Sequence, residues 1–137
     1  RGGLKTYRRE CFDEIGGIRK VNGWDGIDNA IAQMKGWVTN NFGEIEVEHR
    51  RRTGSYSGLT RGCFESGQFS YSMRYFLPFL IARAIHRMKK KPLIIGGFSM
   101  IAGYIHAFLC RHPAACEFEV IEFIRKKQKS RLSIWRK

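Results

Sequence analysis

The chain has 137 residues, with 43% hydrophobic and 13% aromatic content. That is one domain's worth of residues, long enough to bury a core and too apolar for a disordered segment. The net charge of +13 is unevenly spread: residues 1–73 hold 11 Lys/Arg against 9 Asp/Glu, and residues 74–137 hold 14 against 3. Basic charge interleaved with apolar segments in the second half fits an anionic membrane surface better than a DNA groove, and no nucleic-acid motif is present. Cys11, Cys63, Cys110 and Cys116 form no C-x-x-C pair and have no His at zinc-finger spacing, so they read as buried or incidental thiols in a reducing compartment, not as a disulfide framework or a metal site. The chain starts on Arg1-Gly2-Gly3, part-way into a motif, as a fragment would.

In chain order, Gly3–Arg8 reads as a short strand entered through a Gly-Gly turn. Residues 9–15 read as a short helix burying Phe12 and Ile15, stopped by Gly16-Gly17. A Gly-Trp-Asp turn at Gly23-Trp24-Asp25 then opens an amphipathic helix, with Ile27, Ala30, Ile31 and Met34 on one face and Gly36 closing it. Asp25 has two readings there: an N-cap for the first turn, or a carboxylate at a pocket rim acting as general base. Trp37–Thr39 and Glu44–Glu48 read as further strands, the latter alternating Ile45 and Val47 with three glutamates.

The next stretch, His49-Arg50-Arg51-Arg52-Thr53-Gly54-Ser55, has guanidinium forks and a small-residue loop suited to phosphate oxygens. Three arginines in a row also make a solvated or membrane-facing patch, and a lone His is often structural. From Ser66 the pattern is helical: Phe69, Met73, Phe76, Leu80, Ala84 and Met88 trace one stripe, with Pro78 expected to kink the run. Leu93–Cys110 carries no formal charge and approaches the length of a membrane span. Its glycines, Ser99 and His106 leave a buried hairpin, an interfacial helix and a span equally open. Residues 117–129 read as a helix docked on hydrophobic neighbours or on lipid.

The Gly-Gly, Tyr-Arg-Arg-Glu-Cys-Phe-Asp-Glu-Ile-Gly-Gly and Trp-Asp series resembles the C-terminal half of bacterial family 2 glycosyltransferases. The Gly-Trp-Asp-x-x-Asp, Lys-Gly-Trp and His-x-Arg-x-Thr-Gly-Ser stretches are similar to one subgroup with a hydrophobic C-terminal extension. The resemblance covers roughly residues 2–110 and implies an α/β fold: the C-terminal part of a GT-A, or nucleotide-diphospho-sugar transferase, domain over 1–55. A helical, basic, membrane-associating extension follows over 56–137.

It further implies an inverting enzyme of cell-surface polysaccharide synthesis at the cytoplasmic face of the membrane. Such an enzyme moves a sugar from a nucleotide-sugar donor to a glycan or lipid-linked acceptor. Asp25 would be the general base, although Trp24 replaces the Glu that usually precedes it. Trp24 and Asp28 would shape the acceptor site; a buried turn aromatic and a solvent-facing Asp are the plainer readings of these two. Arg50 and Arg52 would stabilise the leaving diphosphate, and His49 would lie near its metal. The family's Mg²⁺ or Mn²⁺ is held by an Asp-x-Asp motif, and this chain has none. The chain alone is therefore expected to be the acceptor-side half and not to turn over. The alternative is a non-catalytic basic module for membrane binding or assembly.

Overall fold

The computed structural model describes residues 5–21, 23–44, 58–89 and 91–134. Their order is α1 (Arg9–Glu14), α2 (Trp24–Met34), α3 (Leu59–Ser72), α4 (Leu77–Met88), α5 (Leu93–Leu109) and α6 (Phe118–Ile134). Among the described residues there is no strand, which overturns the expected α/β GT-A fold. Residues 5–8 have no regular secondary structure and no partner strand among the described residues, although Arg8 itself is extended, and a segment without a ladder is not a sheet. Trp37–Thr39 follows directly from the α2 cap, where the Trp37 amide donates to the Ala32 carbonyl (2.9 Å). The third expected strand, from Ile45 to Glu48, lies outside the described residues.

The helix ends share one device. After α1, α2, α3 and α5 a residue in left-handed conformation turns the chain, and the next amide bonds back across the last turn. At α2 this residue is Gly36 (φ 86°), so the Lys-Gly-Trp stretch is a helix cap that swings Trp37 back toward α1. There its indole N–H donates to Glu14 Oε2 (2.8 Å). At α3 and α5 the residues are Arg74 (φ 49°) and Arg111 (φ 50°), an uncommon choice for a side chain with a Cβ. The turn at Arg74 ends α3, and Pro78 sits in the first turn of a new helix, α4. The kink expected at Pro78 is thus a break four residues earlier, because proline needs no helical amide partner in a first turn.

Two packing regions result. In the first, Cys11 and Ile15 of the α1 segment meet Ile27, Ala30 and Ile31 of α2, Met73, and Val120 of α6. In the second, α5 crosses α3 and α4 through its glycines. A Cβ on Gly67 of α3 would collide with the Met100 carbonyl oxygen, and one on Gly103 of α5 with the Phe64 carbonyl oxygen. The two backbones therefore touch directly, and Ser99 Oγ bonds across the crossing to the Thr60 carbonyl (2.8 Å). Leu80, Ala84 and Met100 close the α4–α5 contact. Buried Gln128 of α6 accepts a bond from the Phe76 amide (3.0 Å), pairing an N–H at the start of α4 and pinning α6 to it.

With glycines inside, α5 turns its large residues outward: Ile94, Ile95, Phe98, Ile105 and Leu109 are all exposed. On α4, Leu77, Ile81 and Ile85 do the same at four-residue spacing. No helix among the described residues is long and apolar enough to cross a membrane. The 17 residues of α5 rise about 25 Å at ~1.5 Å each, short of a ~30 Å hydrocarbon core.

Candidate functional site

The first turn of α2 carries the polar groups of interest, and its position is fixed by Gly23. That residue is the N-cap, with φ 75°, and its backbone lies so close to the Phe69 ring that any Cβ would strike it. Trp24 and Asp25 are therefore the first two residues of the helix, so Asp25 is not the N-cap. Its carboxylate still gains from the positive end of the helix. Among the described residues it takes no hydrogen bond or ion pair through its side chain, and it is half-buried. Trp24 is half-buried beside it.

One turn on, Asp28 is 1% exposed, which corrects the expectation of a solvent-facing residue. Tyr7 donates its hydroxyl to Asp28 Oδ2 (3.0 Å), and Lys5 Nζ lies 3.7 Å from the same oxygen. Lys5 Nζ also donates to the Asp25 backbone carbonyl (2.7 Å) and sits 5.4 Å from the centre of the Trp24 ring. A charge-assisted layer thus lies under the half-buried Asp25 carboxylate: Asp28 orders Lys5 and Tyr7, and Lys5 fastens the first turn of α2. Burial draws the Lys5 ammonium below its usual range despite the attraction of Asp28 and Asp25. Burial, then the bond to Asp28, pushes the Tyr7 phenol well above its usual value, so it stays a donor.

Lys5 and Tyr7 were not among the candidate residues. Their two-residue spacing in a segment that reads as a strand puts both on one side, and that was the available signal. His49, Arg50 and Arg52 lie outside the described residues, so the structure does not bring them to Asp25. Nor do the two aspartates fit Mg²⁺ or Mn²⁺. Hard cations need several open oxygens, and Asp28 is enclosed with a lysine ammonium already on its carboxylate.

The arrangement places a half-buried carboxylate and a half-buried indole on one helix turn, with the Asp28–Lys5–Tyr7 layer beneath them. Comparison with protein-family models, with curated proteins and with solved structures finds no match for this chain.

Proposed function

We propose that this chain supplies the acceptor side of a membrane-associated glycosyltransferase. The observation that carries the reading is the Asp25 carboxylate, unengaged among the described residues and set beside Trp24 on a first turn that Lys5 holds in place. The motif resemblance described above joins it. In the proposed step the Asp25 carboxylate takes the proton of an acceptor hydroxyl as that oxygen attacks the anomeric carbon from the face opposite the leaving group. The bond from the anomeric carbon to the nucleotide diphosphate breaks, its electron pair leaves with the diphosphate, and the configuration inverts. A positioned base of this kind contributes about 10²–10⁴-fold. Trp24, half-buried beside it with the Lys5 ammonium over its ring, offers the acceptor sugar the part of the indole left uncovered.

Membrane association rests on a different observation. The outward apolar residues of α4 and α5 belong to the strongly basic half of the chain, and Lys89 and Lys91 flank the α4–α5 connection. Apolar insertion with a basic rim suits an anionic interface. The test of the catalytic reading is Asp25→Asn in the full-length enzyme. Transfer falls by at least about a hundredfold if Asp25 is the base; transfer near the parent rate removes it from the mechanism.

A further inference from the structure

The α5 end carries a second cluster that the sugar-transfer reading does not use. His106 and Cys110 are four residues apart on the last turn of α5, and Cys110 Sγ lies 3.8 Å from His106 Nε2. The left-handed Arg111 then folds the chain back, so that the His112 amide donates to the Ala107 carbonyl (3.0 Å) and its imidazole returns over the same turn. One ligand atom from each of His106, Cys110 and His112 lies within 4.8 Å of the others. We infer that these three side chains bind a thiophilic first-row metal ion, zinc above all.

The chemistry fits on several counts. Tetrahedral zinc, with bonds of roughly 2.3 Å to sulfur and 2.0–2.1 Å to nitrogen, holds its ligand atoms about 3.3–3.6 Å apart. The Cys110–His106 pair is already near that value at 3.8 Å, and a His112 ring nitrogen lies within 4.8 Å of both. Two imidazoles and a thiolate are a borderline-to-soft donor set that favours zinc or copper over magnesium or calcium. His106 is also backed by an outer partner: Gln68 of α3 lies with Nε2 3.2 Å from His106 Nδ1. With its amide turned to present oxygen, Gln68 accepts the Nδ1 proton and fixes the tautomer that aims Nε2 at the metal.

His106 and Cys110 are exposed, which gives an ion a way in. A cleft of ≈ 350 Å³, lined in part by Gln68, Ser72 and His112, lies on the His112 side of the cluster.

The experiment is a Co²⁺ titration of the metal-free full chain, followed by Zn²⁺ displacement. One equivalent of Co²⁺ produces a thiolate-to-cobalt charge-transfer band, and Zn²⁺ abolishes it by replacement. Cys110→Ser removes the band, and Cys116→Ser, whose thiol packs on the Met73 sulfur, leaves it intact. Gln68→Ala weakens Zn²⁺ by about tenfold, and His112→Ala weakens it further. Circular dichroism of each variant checks that the helices persist; the substituted residues are exposed or half-buried. A missing charge-transfer band in the parent chain, or a band that survives Cys110→Ser, overturns the proposal.

Discussion

The two packing regions solve the burial problem in opposite ways. Around α1, α2 and α6, apolar side chains point inward and a single carboxylate, Asp28, is enclosed with its own donors. Around α3, α4 and α5, glycines point inward and backbones touch, only a small cluster of Leu80, Ala84 and Met100 is buried, and many of the large apolar side chains are left outside. The first arrangement holds polar groups in fixed positions, which a reactive site needs. The second gives up side-chain packing for close approach and leaves an apolar surface outside, which suits contact with a medium other than water.

The largest effect is expected where the second region has no slack. Gly67→Ala places a methyl against the Met100 carbonyl, and a backbone cannot rotate away as a side chain can. A loss of about 3 kcal/mol is expected, read as a lowered denaturation midpoint; an unchanged midpoint would mean the crossing is looser than described.

The first region is tested at its enclosed charge. Asp28→Asn leaves Lys5 partly buried with a weaker partner and should cost about 2 kcal/mol, somewhat less than a fully enclosed pair because the Lys5 side chain is 17% exposed. A variant as stable as the parent would make the Asp28–Lys5–Tyr7 layer incidental.

The smallest effect belongs to the surface. Arg19 donates to Glu117 at 2.8 Å, joining the loop before α2 to the residue before α6. That bond holds the Glu117 carboxyl below its ordinary value of 4.5. Folding therefore favours the ionised form. The gain is present above that ordinary value and is lost as the pH falls through the lower folded value. Both partners are substantially exposed, so Glu117→Gln should cost only about 0.3 kcal/mol at neutral pH. The difference between the two proteins should vanish in strong acid, and a difference that grows toward low pH would contradict the assignment.

Much of this was legible in the residues. The short helix ended by Gly16-Gly17 and the α2 face of Ile27, Ala30 and Ile31 follow from spacing and punctuation alone, whereas Met34 of that expected face is exposed and the uncharged run of α5 left hairpin and helix equally open. The sheet was not legible, because an extended segment announces itself by alternation but its partner strand does not. Lys5-Thr6-Tyr7 alternates as a strand would, yet spends that alternation aiming Lys5 and Tyr7 at one aspartate. The burial of Asp28 was equally hidden: a carboxylate one turn into an amphipathic helix reads as solvated unless its donors, distant in sequence, are known. The glycines of α5 lowered its apparent hydrophobicity, when their role was to admit α3.

The central claim is that two carboxylates one turn apart divide the labour, Asp25 reacting and Asp28 supporting. It is tested most directly by measuring the proposed sugar transfer and the thermal midpoint side by side for Asp25→Asn and Asp28→Asn in the protein. The account predicts that Asp25→Asn loses transfer by at least about a hundredfold with its midpoint unmoved, and that Asp28→Asn lowers the midpoint. Transfer that survives in Asp25→Asn would contradict it.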